Sequence, residues 1–334
     1  MKNANVSIFV PHNGCPNQCS FCNQKNITGQ AVQPSVESVR ETLEAAKSKI
    51  DFKQTRAEIA FFGGSFTAID RDYMVELLNE ASRFLGKDSF EGIRISTRPD
   101  AIDDEIIDIL RDYGVKTVEL GAQSMCDSVL SANKRGHTRE DVILSSKKIK
   151  AAGFKLGLQM MTGLYMSNEN LDIKTAEDFI KLKPDMVRIY PTVVMKGTEL
   201  ETLYNSGVYE PAKFESTVEL CSFLLDLFER KNNIPVIRLG LHDSESLRKN
   251  MVSGVFHPAF REICESNLIF HEILDQIKKL EMKSGNIIVK INSRDISKAV
   301  GQKRVNLKKF KDLGYNINFV FCNEIKLGKV FVSA

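Results

Sequence analysis

The sequence predicts an α/β fold, a partial (β/α)6 barrel of the TIM type followed by a small C-terminal α+β domain. Over the first 240 residues, short apolar runs rich in β-branched residues alternate with longer amphipathic stretches, as in repeated β-α units. Six such units, rather than eight, indicate an incomplete barrel. Conspicuous motifs follow the first four strands, and the carboxyl ends of barrel strands are where active sites are built.

The elements of the barrel can be placed in order along the chain. The predicted strands are Val6–Val10, Glu58–Phe62, Gly92–Ser96, Val115–Leu120, Lys155–Met160 and Met186–Tyr190. The predicted helices between them are Ser35–Ser48, Arg71–Leu85, Asp103–Asp112, Arg139–Ala152 and Leu171–Leu182. Several of these helices open with Asp or Ser, which are favoured at N-caps. The alternation predicts parallel strands joined by right-handed crossovers. A helix over Lys213–Arg230 and an apolar run at Val236–Leu241 extend the same domain.

The chain divides into a barrel domain at 1–245, a mostly helical connector at 246–283 and a small domain at 284–334. The elements predicted in the last part are strand Ile287–Ile291, helices Arg294–Val300 and Val305–Leu313, strand Asn316–Phe321 and a strand near Val330. This β-α-α-β order within about 50 residues is typical of a small nucleic-acid-binding module.

Basic charge is concentrated in this last part. Residues 284–334 hold ten Lys and Arg against three acids, a net +7, whereas the whole chain is +3. A segment with this charge is typical of a surface that binds polyanions, and nucleic acid is the first candidate. A solvated helix face would explain the charge equally well.

Composition excludes several classes of protein. With 334 residues, 43% hydrophobic and 27% charged, the chain can bury a core and is neither disordered nor fibrous. No run approaches the roughly 20 apolar residues of a membrane helix, and the N-terminus lacks the long apolar region of a signal peptide. We therefore expect a cytoplasmic protein without membrane contact, whose seven cysteines are not a disulfide framework.

Three of the cysteines form a compact motif on the loop after the first strand, Cys15-Pro-Asn-Gln-Cys19-Ser-Phe-Cys22. Three thiolates at these spacings can hold three irons of a [4Fe–4S] cluster and leave the fourth iron open to a substrate or cofactor. Spacing alone leaves a zinc knuckle possible, because His12 would complete a Cys3His set. The other cysteines are dispersed and are interpreted as packing residues.

Several further motifs follow in order, and together with the cysteines they resemble the radical S-adenosylmethionine (SAM) superfamily. They are Phe61-Phe62-Gly63-Gly64-Ser65, Ile95-Ser96-Thr97-Arg98-Pro99-Asp100, Val118-Glu119-Leu120-Gly121-Ala122-Gln123, Asn133-Lys134-Arg135-Gly136-His137 and Arg188-Ile189-Tyr190-Pro191. Over about residues 5–205, their order and spacing are similar to the radical-SAM half of the elongator catalytic subunit. We do not expect that subunit's full reaction, because its acetyltransferase domain does not follow in this sequence.

The resemblance implies two cofactors, a [4Fe–4S] cluster on Cys15, Cys19 and Cys22, and SAM. It implies that Gly63 and Gly64 contact the SAM amino group, where glycine permits close backbone approach. Gln123 and Arg135 would contact its carboxylate, which suits a guanidinium. Ser96 stands where related enzymes often carry an acid toward the ribose, and Met160 would lie near the adenine.

From the residues alone, each of these positions also has a structural interpretation. Arg135 could be a surface ion-pair partner and Gln123 a strand-end cap, although we favour function for both. For His137 and the pair Met160-Met161, burial in the core is the favoured interpretation.

The segment from Ala299 to Leu307 resembles a KH module, in which a glycine-containing turn between two helices approaches the RNA backbone. A full loop would carry glycine three residues after Gly301, where Arg304 stands. We therefore expect binding to depend on contacts between phosphate groups and four basic side chains, Lys303, Arg304, Lys308 and Lys309.

The sequence thus predicts a radical SAM enzyme that modifies RNA, either tRNA or rRNA, and that receives its electron from an external donor. One alternative keeps the chemistry but takes a metabolite or peptide as substrate. Another is a non-catalytic iron–sulfur protein that binds RNA or assists ribosome assembly.

Overall fold

A computed structural model describes residues 2–11, 15, 18–23 and 32–333. The chain forms two compact units. The first unit comprises Met1–Ala212, Ile234–Arg238 and His242–Val255, and the second comprises Lys213–Asn233, Leu239–Leu241 and Phe256–Ala334. The contacts thus group the helix after Lys213 with the C-terminal residues. The division of the chain into a barrel domain, a connector and a small domain, with boundaries after residues 245 and 283, stays a prediction.

The first unit is built on a seven-stranded sheet whose strands follow one another in nearly sequential order. Its strands are β1 (Lys2–Val10), β2 (Thr55–Gly63), β3 (Gly92–Thr97), β4 (Val115–Gln123), β5 (Lys155–Thr162), β6 (Met186–Pro191) and β8 (Val236–Leu239). Neighbouring strands from β1 to β6 are parallel, which confirms the predicted α/β barrel-type fold. The apolar run at Val236–Leu241 supplies the seventh strand, beside β6.

Helices connect these strands, and each predicted helix begins within two residues of an observed start, whereas two short helices were not predicted. They are α1 (Val36–Lys47), α2 (Arg71–Ser82), α3 (Asp104–Asp112), α4 (Asp127–Ala132), α5 (Arg139–Ala151), α6 (Glu169–Leu182) and α7 (Glu199–Asn205). The side chains of Asp70, Asp103 and Asn168 each accept a hydrogen bond from a backbone N–H of the first helical turn. Thr138 and Asp141 form a reciprocal capping box at the start of α5.

A two-stranded antiparallel ribbon in the first unit was not predicted. It joins β7 (Val193–Met195) to β9 (Met251–Gly254), which follows α9 (Glu245–Asn250). The stretch interpreted as a mostly helical connector therefore also contains a strand. Gly254 has φ +105°, and a Cβ there would lie 2.8 Å from the Thr192 carbonyl oxygen, so glycine permits the close approach of the two strands.

The second unit contains α8 (Phe214–Leu225), which continues as a π-helical turn, and α10 (Phe260–Lys279). Its small sheet has the order β11 (Tyr315–Phe321), β10 (Gly285–Ile291), β12 (Val330–Ser333). Helices α11 (Ile296–Val300) and α12 (Val305–Asp312) lie between β10 and β11 in the chain. Apolar residues of β10 pack with α10 and α12 in one core, so the predicted α+β domain is confirmed.

None of the helices in the described part of the chain is long and apolar enough to cross a membrane.

Candidate functional site

A pocket of about 520 Å³ opens at the carboxyl ends of the central strands. Eight of the nine residues that the sequence assigns to the cluster or to SAM line it: Cys15, Cys19, Cys22, Gly63, Gly64, Ser96, Gln123 and Arg135. Met160 does not line it and is fully buried in β5. Among the lining residues that the sequence did not single out are Thr97, Arg98 and Gln159.

Ser20, which lies between two of the thiols, is one anchor of the loop that carries them. Ser20 donates a hydrogen bond from its Oγ to Asn133 Oδ1 (2.7 Å) and another from its backbone N to the Asn133 carbonyl oxygen (3.2 Å). Its carbonyl oxygen accepts a hydrogen bond from Leu200 N (2.7 Å). Asn133 is itself fully buried, so these hydrogen bonds are shielded from water and help to position the loop at Cys19.

Arg135 connects the cysteine loop to the end of β4. Its Nη1 donates to Cys19 Sγ at 3.2 Å and its Nη2 to the Gly121 carbonyl oxygen at 2.5 Å, while its buried Nε has no hydrogen-bond partner among the described residues. Burial and the adjacent Cys19 thiol raise the pKa of the Cys15 thiol, and the charges of Arg135 and Arg98 act in the opposite direction. The two guanidiniums therefore favour the thiolate form that binds iron.

The chemistry of the donors fits a [4Fe–4S] cluster. In the described part of the chain, no three His, Cys, Asp or Glu side chains are close enough to hold one metal ion, as zinc would need. A cubane instead takes one thiolate at each of three irons, and three thiols border this pocket. His12, the fourth ligand of the zinc alternative, lies outside the described residues.

The Gly63-Gly64 turn closes β2 against the end of β1. Gly63 has φ +117°, and a Cβ there would lie 2.8 Å from the Val10 carbonyl oxygen. Gly64 N donates to that same oxygen at 2.8 Å. Only glycine at position 63 permits this approach, which brings the turn to the pocket wall.

Gln123 reaches the pocket through an irregularity at the end of β4. The register between β4 and β5 shifts between Leu120 and Gln123, and Gln123 takes a left-handed φ of +64°. Its Oε1 is buried and, among the residues that the structure describes, has no hydrogen-bond partner. A buried acceptor of this kind can be satisfied by a ligand.

The floor of the pocket is joined to a buried group of charges that we call the strand ion cluster: Glu58, Arg94, Glu119 and Arg188. Gln159 Nε2 donates to Ser96 Oγ (3.1 Å) and to Glu119 Oε2 (2.9 Å). Glu119 accepts from Arg94 Nη1 (2.6 Å) and Arg188 Nη2 (2.9 Å), and Glu58 pairs with Arg94. Burial opposes ionisation of Glu119, but Arg188 and Arg94 outweigh it and hold its pKa below the usual value.

Arg98 is a site residue that sequence reasoning missed. Its Nε and Nη2 donate to the two carboxylate oxygens of Asp100 at 2.9 and 2.8 Å, and its backbone N donates to Ser65 Oγ at 3.0 Å. Its Nη1 is buried at the pocket without a hydrogen-bond partner among residues 2–11, 15, 18–23 and 32–333. The signal was an arginine at a strand end, two residues before an aspartate.

His137 is a buried structural residue. One ring nitrogen, Nε2, lies 3.1 Å from the Ala122 carbonyl oxygen and must therefore donate a proton to it. Burial, followed by the charge of Arg135, lowers the pKa of His137 to about 4, so the ring is neutral near pH 7.

The four basic residues assigned to RNA lie in the second unit and are exposed: Lys303, Arg304, Lys308 and Lys309. The turn after Gly301 places Lys303 and Arg304 in the left-handed region, with φ of +51° and +61°. Arg304, which stands where a full KH loop would carry glycine, thus has a left-handed backbone that glycine adopts more readily. Lys309 Nζ lies 5.0 Å from the centre of the Phe270 ring.

Comparison with known proteins gives two family matches. The radical SAM superfamily matches residues 9–179, which are half of the chain, and the radical SAM C-terminal domain matches residues 184–269.

Named relatives are similar over part of their length. A tRNA uridine(34) acetyltransferase of Methanocaldococcus jannaschii is 30% identical over 195 residues, which are 52% of this chain and 36% of that protein. Human elongator complex protein 3 is 31% identical over 228 residues, 62% of this chain and 41% of that protein. The chain therefore spans well under half the length of these relatives. The archaeal Methanocaldococcus infernus Elp3 with an N-terminal deletion has the same fold, with a TM-score of 0.59 and 21% identity over 84% of this chain and 63% of that one.

Proposed function

Because the chain belongs to the radical SAM superfamily, we propose that it is an enzyme that modifies RNA by radical chemistry. Its cofactors are a [4Fe–4S] cluster and SAM. The observation that carries the proposal is that three thiols, the Gly63-Gly64 turn and two buried guanidiniums line one pocket.

When bound, the cluster and SAM would supply one-electron radical chemistry for removing a hydrogen atom from the substrate, with the electron taken from an external donor. The chain's own residues hold and orient these groups. Cys15, Cys19 and Cys22 would hold the cluster, and the backbone of Gly63 and Gly64 would receive the amino group of SAM. Four other residues that line the pocket would make further contacts to SAM: Ser96, Arg98, Gln123 and Arg135.

Two observations support RNA as the substrate. The relatives include proteins named for action on a tRNA uridine, although this chain spans only about a third of their length. The second unit also exposes Lys303, Arg304, Lys308 and Lys309 on the turn and helix that resemble a KH module. Phosphate contacts by such cations give RNA affinity that falls steeply with salt.

Cleavage of SAM is the first test. The wild-type chain, reconstituted anaerobically with iron and sulfide and reduced, should convert SAM to 5′-deoxyadenosine, and Cys19→Ala should lose both cluster absorbance and cleavage. Cys126→Ala is the matched control, because this half-buried cysteine lies outside the pocket. Full cleavage by Cys19→Ala would refute the cluster assignment.

The RNA substrate is tested by mass spectrometry of nucleosides. Transfer and ribosomal RNA are isolated separately from anaerobic cells that carry the wild-type gene, a deletion or the Cys19→Ala variant. We expect one modified nucleoside to be absent from both mutant strains, and its RNA class and added mass identify the reaction. Identical profiles in all three strains would contradict RNA as the substrate and favour a metabolite or peptide.

A further inference from the structure

The small sheet of the second unit is covered on one face only. Ile287, Val289 and Ile291 of β10 are fully buried and pack in one core with residues of α10 and α12. Successive side chains of a strand point to opposite faces, so the residues between them on β10 face away from these helices. This second face is exposed in the folded chain.

The register of the strands shows which residues share that face. Lys290 on β10 lies opposite Val320 on β11 and Phe331 on β12. In the next row, Ile288 lies opposite Asn318 and Ser333. We call these six residues the open face.

The composition of the open face suits unpaired nucleotides. Phe331 on the edge strand β12 is 60% exposed and lies beside Lys290 of the central strand, and none of the six residues is acidic. Exposed aromatic rings on a sheet stack RNA bases, and a lysine beside the ring can pair with the phosphate that follows the base. The amide of Asn318 offers both a donor and an acceptor to a base edge.

We propose that the open face binds unpaired nucleotides of RNA, with a base stacked on Phe331 and the adjacent phosphate paired with Lys290. The proposal rests on the proposed RNA substrate. The open face is separate from the turn at Gly301–Arg304. That turn joins α11 to α12, and α12 packs on the covered face of the sheet. The second unit would then contact RNA both with its sheet and with its basic turn.

The chain contains a matched control for Phe331. Phe321 is 61% exposed, but it lies opposite Ile291, whose side chain points into the core. The two phenylalanines therefore have the same size and nearly the same exposure and lie on the two edge strands of one sheet, but their register places them on opposite faces.

The experiment measures RNA affinity of the full-length reconstituted chain by fluorescence anisotropy, with a fluorescein-labelled single-stranded oligouridylate at several salt concentrations. We expect Phe331→Ala to weaken binding by about five- to a hundredfold, since stacking contributes about 1–3 kcal/mol per base. Phe321→Ala should stay within about twofold of wild type. Phe331→Tyr keeps the ring and should retain affinity. Lys290→Gln should reduce the slope of log affinity against log salt by about 0.7, whereas Phe331→Ala should leave it unchanged.

Equal losses in the two alanine variants, or none in Phe331→Ala, would overturn the proposal, and the second result would favour a protein partner for the open face. Loss of affinity in Phe331→Tyr as well would indicate disturbed folding and also count against stacking. If the wild-type chain itself binds neither oligouridylate nor cellular RNA, the proposed function fails together with this inference. If the wild-type chain binds RNA and Phe331→Ala binds equally well, the inference about the open face is rejected but the proposed RNA substrate is not.

Discussion

Replacing Glu119 by Gln tests whether the strand ion cluster holds the barrel together. Glu119 is fully buried and accepts hydrogen bonds from Arg94 and Arg188, whose side chains are only 9% and 16% exposed. The amide of Gln has nearly the same shape but removes the charge that balances these two guanidiniums. Arg94 would keep Glu58 as an ion-pair partner, but Arg188 has no other carboxylate partner among the described residues and would keep a largely buried, uncompensated charge.

The expected magnitude follows from that burial. Removing one partner from a buried ion pair costs about 3–5 kcal/mol, because an uncompensated charge remains. Glu80 provides the matched control: it is also buried and binds two arginines, Arg40 and Arg83, but these are 43% and 60% exposed. Their charges stay hydrated in Glu80→Gln, so we expect a loss of about 1 kcal/mol there.

The assay is urea unfolding of the full-length chain followed by far-ultraviolet circular dichroism, with the free-energy change taken from the shift in midpoint at constant slope. The folded-state pKa of Glu119 lies below its usual value, so the wild-type advantage is complete at neutral pH. It should decline as the pH falls below about 4 toward that folded-state pKa. Equal losses for Glu119→Gln and Glu80→Gln, or a difference that is independent of pH, would refute the reasoning.

Three further substitutions test the pocket and the basic turn. Gly63→Ala should cost about 2 kcal/mol through its φ of +117° and a 2.8 Å contact, and should weaken SAM binding in equilibrium dialysis. Gly153→Ala, which has a positive φ but open space around it, should leave SAM affinity unchanged. Arg98→Gln should lower the preference for SAM over decarboxylated SAM about tenfold at normal iron content. The reason is that Nη1 of Arg98, which is buried without a hydrogen-bond partner among the described residues, suits a carboxylate. The exposed Arg111→Gln should not alter this preference, and an unchanged preference in Arg98→Gln would contradict the assignment. Arg304→Gly should stabilise the chain by up to about 1 kcal/mol by relieving a left-handed backbone, yet lower RNA affinity and its salt dependence. A gain in RNA affinity would show that backbone approach matters more there than the charge.

The large elements of the fold could be predicted because their signal is local. Parallel strands buried on both faces are continuous apolar runs, and the six predicted strands all lie within observed ones. The ribbon of Val193–Met195 and Met251–Gly254 could not be predicted in this way. Strands of three or four residues are too short to show a periodic pattern in the sequence. Each of these two strands forms only because its partner, more than 50 residues away, supplies its hydrogen bonds.

The site was predictable where one short segment carries the chemistry. The three cysteines stand out by their spacing, the Gly63-Gly64 turn was assigned through the family resemblance, and eight of the nine assigned residues do line one pocket. Gln159 depends on distant partners, so its role emerges only in the folded chain, whereas Arg98 pairs with Asp100 two residues later. A signal was nevertheless present, since Arg94 and Glu119 interrupt apolar strands where an unpaired charge would be costly.

The segment from Asn133 to Arg135 explains how thiols on the first loop come to lie beside the fourth strand. Asn133 fixes Ser20 by two hydrogen bonds, and two residues later Arg135 donates to the adjacent thiol of Cys19 and to the Gly121 carbonyl oxygen. One tight turn thus positions the loop and places a permanent positive charge beside its central thiol. A [4Fe–4S] cluster held by three thiolates would carry a net negative charge that increases on reduction. The positive charge of Arg135 would therefore favour the reduced state of a cluster bound to this loop.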